Sequence, residues 1–172
     1  PGTIASGDID ATSYAVRFDY PIGIATDGTN LYVADAGNNK IRKIVISTGV
    51  VTTIAGPAQG NTSFGDTDAT GNAARFFSPQ GLAFDGINLF VADSGNNKIR
   101  KIVLATGAVT TIAGPAQGNT ASGDTDATGN AARFSHPMGI ATDGANLYVV
   151  DHYNNKIRKI VISSGVVTTI AG

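Results

Sequence analysis

The chain has no cysteine among its 172 residues. Disulfides, thiolate metal sites and cysteine nucleophiles are therefore excluded. Glutamate is absent too, so all 13 acidic residues are Asp. Glu is a good helix former, whereas Asp prefers caps and turns, so the bias speaks against long helices. Charge is sparse and balanced: 12 Lys and Arg against 13 Asp give a formal net charge of -1. That balance argues against a generic nucleic-acid binder or an electrostatic membrane binder. No apolar run approaches the roughly 18 residues of a membrane-spanning helix. Neither Gly-x-Ser-x-Gly nor a phosphate loop followed by Lys-Ser/Thr occurs. What is present points one way. Hydrophobic residues make up 42%, enough for a core, and 22 Gly accompany many Thr, Val, Ile and Asn. This composition leans all-β.

The dominant feature is internal repetition. Arg17-Phe18, Arg75-Phe76 and Arg133-Phe134 recur at a spacing of 58, as do Pro21, Pro79 and Pro137. Residues 57–114 and 115–172 share 42 identities in 58 positions. Within each repeat, short apolar segments alternate with Gly/Asn turns. In the first, Ile22 to Asp27, Leu31 to Asp35, Lys40 to Ile46 and Val50 to Ala55 read as four strands in hairpin order. The second carries Leu31 and Val33 on one face, Tyr32 and Ala34 on the other. A sheet apolar on both faces must lie between neighbours. Stacked four-stranded sheets around an axis form a β-propeller. The expected organisation is a partial connector over 1–16, a blade over 17–56, a connector over 57–74, a blade over 75–114, a connector over 115–132 and a blade over 133–172. In the connectors, Asp68 or Thr70 is expected to cap one short helical turn, with Phe76 as the core anchor.

The strings Ile24-Ala25-Thr26-Asp27-Gly28, Asn30-Leu31-Tyr32-Val33-Ala34-Asp35 and Thr52-Thr53-Ile54-Ala55-Gly56 resemble the NHL repeat. The Gly65-Asp66…Ala74-Arg75-Phe76 connector is similar to the long-linker bacterial type. The resemblance implies propeller blades, typically six to a ring, and favours a secreted or periplasmic setting. It does not fix function, since such propellers include RNA-binding and protein-binding modules, sensor domains and a lyase. Three blades cannot close a ring. The expectation is therefore a homodimer that completes a six-bladed ring, with Gly172 of one copy approaching Pro1 of the other. The alternative is half of a longer propeller. The near-identity of the repeats points to recent amplification or engineering.

Several residue groups are candidates for chemistry. Asp66-x-Asp68-x-Thr70-Gly71, repeated as Asp124-x-Asp126-x-Thr128-Gly129, fits the first half of a calcium loop. The acid at position 12 is replaced by Phe77 and Ser135, so capping and turn bonds are favoured. Asp35, Asp93 and Asp151 are expected to accept turn N–H groups or pair with Arg17, Arg75 and Arg133. The clusters at Lys40, Arg42 and Lys43 read as a solvated outer strand rather than an RNA surface. The two histidines both fall in the third repeat. His136 precedes its first strand and His152 follows its second, so the hairpin brings them to one face beside Tyr153. Tyr20, Gln80 and Met138 vary between repeats at the same end. These six residues form the candidate ligand site, at the mouth of the ring. The expected role is a non-enzymatic scaffold or interaction module without a cofactor. A small-molecule or metal-dependent site at His136 and His152 is the first alternative, and an RNA-binding module the second.

Overall fold

The computed structural model describes residues 5–172. The connector over 1–16 is thus seen from residue 5 onward, and Pro1 lies outside the described residues. The first blade runs β1 (Pro21–Thr26), β2 (Asn30–Asp35), β3 (Lys40–Val45) and β4 (Val51–Ala55). The second is β5 (Pro79–Phe84), β6 (Asn88–Asp93), β7 (Lys98–Val103) and β8 (Ala108–Ala113). The third is β9 (Pro137–Thr142), β10 (Asn146–Asp151), β11 (Lys156–Val161) and β12 (Val167–Ala171). Each is a four-stranded sheet in sequence order, with antiparallel neighbours.

Local chemistry sets the turns. The Asp27 carboxylate accepts the N–H groups of Thr29 and Asn30 and closes the first hairpin. Between β2 and β3 a three-residue 3-10 turn ends at Asn39, whose φ of 56° is left-handed. Asn tolerates that conformation better than most residues. The connectors carry one 3-10 turn each, such as Gly71–Ala73. Thr70 stands at its N-terminal boundary but makes no side-chain cap. Asp68 does not cap it either, because its carboxylate holds Arg100 and Thr111. Instead the connector pairs with the outermost strand: Thr70 bridges Ala108, and the Val109 N–H reaches the Ala69 carbonyl at 2.8 Å. This covers an otherwise open sheet edge.

Two apolar layers join the blades. Tyr32, Ala34 and Ile41 of the first blade pack on Phe76, Leu82, Leu89 and Val91. Phe90, Ala92 and Ile99 of the second pack on Phe134, Leu147, Val149 and Ile160. The innermost strands meet closely, because a Cβ on Gly23 would stand 1.8 Å from the Gln80 carbonyl oxygen. A glycine at this bulged position is the only residue that admits the neighbouring backbone. The middle blade is sealed on both faces. The outer two each keep one face open: Ile24 is 61% exposed where Leu82 is 7%, and Val150 is 41% exposed where Ala92 is fully buried.

Candidate functional site

Most of the repeated charges are internal, which corrects the solvated-strand expectation. For Asp35, Asp93 and Asp151 it bears out acceptance of turn N–H groups while replacing the expected Arg partners. Lys40, Arg42, Lys98, Arg100 and Arg158 are fully buried, not solvated. Arg100 uses all five of its donors. Nε and Nη2 bond Asp68, Nη1 bonds Asp93 and the Arg75 carbonyl, and Nη2 also reaches the Thr67 carbonyl. Its guanidinium lies 5.1 Å from the centre of the Phe76 ring. Arg158 repeats the set with Asp126, Asp151 and Phe134. Asp93 accepts the Phe77 N–H and the Asn96 amide as well as Arg100. The carboxylates at 35, 93 and 151 thus pair with Arg42, Arg100 and Arg158. Arg17, Arg75 and Arg133 instead donate to carbonyls nearby in the chain. A planar five-donor fork suits this task, since it binds two carboxylates and two carbonyls at once. Burial pushes the Asp93 carboxyl up, against the pull of Arg100 and its hydrogen bonds.

The carboxylates of Asp66, Asp68, Asp124 and Asp126, the calcium candidates, are engaged by the same geometry. Asp66 holds the Lys98 ammonium and the Gly118 N–H. Asp68 holds Arg100 and Thr111, and Asp124 and Asp126 hold Lys156 and Arg158. Each of the four carboxylates is thus paired with a Lys or Arg side chain. Among the described residues no group of three or more His or Asp is arranged to hold a metal ion.

The variable residues gather at one end of the blades. Tyr20, Ser78 and His136 stand just before the innermost strands with φ of 47°, 48° and 50°. A left-handed Tyr or His is strained, and the surroundings must hold it. The N–H groups of Ser78 and His136 each donate to an Asn of the preceding blade, Asn39 and Asn97. His136, His152 and Tyr153 do come together: the two imidazoles lie 4.4 and 5.0 Å from the Tyr153 ring centre. His136 Nδ1, Gln80 Oε1 and Ser94 Oγ are buried without a protein partner. Gln80 and Met138 line the concave axial surface with Ile22 and the three strand glycines. Tyr20 lines a separate concavity with Tyr14, Phe18 and Pro21. An aromatic pair escaped sequence reasoning: Phe64 of the connector stacks on Phe77 at 4.6 Å. The seam residues Asn39 and Asn97 escaped it as well. Their signal was the unchanged Asn-Asn-Lys string, in which only the first Asn serves its own blade.

No protein-family model matches the chain. It is 32% identical over 164 residues to the chloroplastic protein Suppressor of Quenching 1 of Arabidopsis thaliana, covering 90% of this chain and 15% of that one. It is 28% identical over 195 residues to human NHL repeat-containing protein 2, covering 99% of this chain and 27% of the relative. The chain therefore spans about a quarter or less of the curated relatives it matches. Among solved structures, an auxiliary nutrient binding protein from Bacteroides thetaiotaomicron superposes with a TM-score of 0.67 at 23% identity, over 86% of this chain and 36% of that one. That likeness concerns the fold. With three copies of the motif folded as three four-stranded blades, the chain is an NHL-repeat protein of the β-propeller class.

Proposed function

We propose that the chain is a non-enzymatic scaffold or interaction module, whose working form is a six-bladed ring made by two copies. One observation carries the reading. The two open faces are the two halves of an interface the molecule already makes twice. The far face of the third blade presents Tyr148, Val150 and Ile157, the counterparts of Phe90, Ala92 and Ile99, which the next blade covers. The near face of the first presents Phe18, Ile24 and Ile44, the counterparts of Phe76, Leu82 and Ile102. Matching apolar faces at the two ends of one chain favour head-to-tail association that closes on itself. The ring then offers the variable end, with His136, His152, Tyr153, Gln80, Met138 and Tyr20, as its binding surface. A non-enzymatic role is supported by the internal use of the repeated Arg and Asp side chains. Light scattering over a dilution series tests the ring. A mass near 35 kDa, twice the 17.5 kDa of the chain, is expected to persist on dilution. A monomer at every concentration would remove the reading.

A further inference from the structure

The faces say that two copies match; the seams say how. We infer that closure repeats the internal seams residue for residue, with Asn155 accepting the N–H of Tyr20 of the partner subunit and Gly139 receiving the backbone of Ile22 of the partner subunit. This rests on the ring proposed above and adds its register.

The first argument is the asparagine. At the seam between the first two blades, Asn39 Oδ1 accepts the Ser78 N–H at 2.8 Å, and its amide donates to the Thr62 carbonyl at 2.9 Å. At the second seam, Asn97 does the same for His136 and Thr120, at 2.8 Å each. Asn39 and Asn97 are 8% and 6% exposed. Asn155, with the same φ of 56°, is exposed. One period before Ser78 stands Tyr20, in the same left-handed backbone. Its N–H therefore has the presentation that Asn39 and Asn97 recognise in Ser78 and His136.

The second argument is independent of hydrogen bonding. Gly23 and Gly81 are required by contact, since a Cβ would lie 1.8 Å from the Gln80 carbonyl oxygen and 2.1 Å from that of Met138. Gly139 holds the same position in the third blade, yet its nearest neighbour would be a Val150 methyl at 3.2 Å. Within the single chain no backbone opposes a Cβ there, only that side chain. The residue one period before Gln80 is Ile22, 55% exposed on the first blade. Its carbonyl is the group that Gly139 would admit.

The connector latch agrees. Asp66 bonds the Gly118 N–H while Lys98 bonds the Ala116 carbonyl, tying one connector to the next. Asp124 and Lys156 carry the same pair at the open end, 45% and 25% exposed.

The test uses the full chain and two substitutions, read by light scattering across a dilution series with circular dichroism as the folding control. Gly139→Ala adds one methyl that needs only a small shift of the exposed Val150 side chain in the single chain, but that would overlap the partner's backbone. It is expected to weaken the dimer by roughly a hundredfold or more, with the blade spectrum unchanged. Asn155→Gly keeps the left-handed backbone and deletes the seam amide, at both seams of the ring. It is expected to weaken the dimer by about tenfold or more, and it decides the matter if Gly139→Ala perturbs the blade itself. If the unmodified chain is a dimer and both variants match it, the register is wrong while the ring stands. If the unmodified chain is monomeric throughout, the ring fails and the register with it.

Discussion

Replacing Arg100 with Met tests whether the buried cation, rather than the apolar layers, fixes each connector to its blade. The substitution keeps an apolar stem but removes all five donors and the guanidinium that lies over the Phe76 ring. Asp93 is fully buried and loses the cation it pairs with at 2.8 Å. Breaking a buried pair from one side costs about 3–5 kcal/mol. The carbonyls of Arg75 and Thr67 also lose a donor, adding about 1 kcal/mol each where water cannot replace it. Domains are commonly stable by only about 5–15 kcal/mol, so the loss is a large share of the whole. Urea unfolding followed by circular dichroism reads it. Arg158→Met is the internal comparison. Asp151 is as buried as Asp93, but Asp126 is 44% exposed and water can serve it. Arg158→Met is therefore expected to cost less than Arg100→Met, by about 1 kcal/mol or more. A pH arm separates charge from packing. Burial already raises the Asp93 carboxyl, and loss of Arg100 raises it further. A raised folded pKa means stability is greatest at low pH and is lost as pH rises through that value. The deficit of Arg100→Met should shrink towards pH ~4. A cost below about 1 kcal/mol at neutral pH, or a deficit that deepens in acid, would refute the reasoning.

Three further outcomes are expected. Ser13 has a φ of 54° where the other repeats place Gly71 and Gly129, so Ser13→Gly should stabilise by about 1 kcal/mol, seen as a higher Tm. Tyr32 is held protonated, its pKa pushed up to about 12 by burial and then by its bond to Asp27. Its contribution is complete below pH ~10 and is lost as pH rises through the folded value, so Tyr32→Phe should flatten the alkaline limb of the stability curve. Asp27 and Asp143 are held well below the usual carboxylate range, first by the side-chain amides of Asn30 and Asn146 and then by backbone N–H groups. Their contribution is complete above pH ~4 and is lost only as pH falls well below it; carboxyl resonances of both still ionised at pH ~3 would agree, and ordinary titration near pH ~4 would not.

Strands, turns and repeat count were legible because they depend on short-range rules. Alternating β-branched residues between Asn and Gly turns leave little choice of local structure. The role of Arg42, Arg100 and Arg158 was hidden. In Lys-Ile-Arg-Lys a strand shows two cations on one face and one on the other, and nothing local says which face is buried. The partners Asp66 and Asp68 lie 32 residues before Lys98 and Arg100, so the pairing exists only once the connector folds back. The His136–His152–Tyr153 group was legible because a hairpin alone brings its members together.

The variable end follows a rule that separates filling from function. In the second blade Phe77 lies over Gly95, where a Cβ would meet its ring at 2.5 Å. In the third blade Ser135 stands in place of Phe77 and Tyr153 in place of Gly95, with the Tyr153 N–H bonded to the Ser135 carbonyl. A large residue at one position requires a small one at the other, and the two blades solve this in opposite ways. Both solutions deliver an aromatic ring to the same end of the blade, Phe77 stacked with Phe64 and Tyr153 flanked by two histidines. Packing can explain the exchange of volume, but Tyr153 remains 62% exposed and Phe77 39%. Exposed aromatic rings at this end are in keeping with the binding role proposed for it. The double exchange Ser135→Phe with Tyr153→Gly should therefore preserve thermal stability, since the second blade already accepts that pair. Either single change that enlarges one side, Ser135→Phe or Gly95→Tyr, should cost stability through overlap, by about 1–3 kcal/mol. If Ser135→Phe alone unfolds at the same temperature as the double exchange, the two positions are not coupled, and the aromatic end is only a collection of independent surface residues.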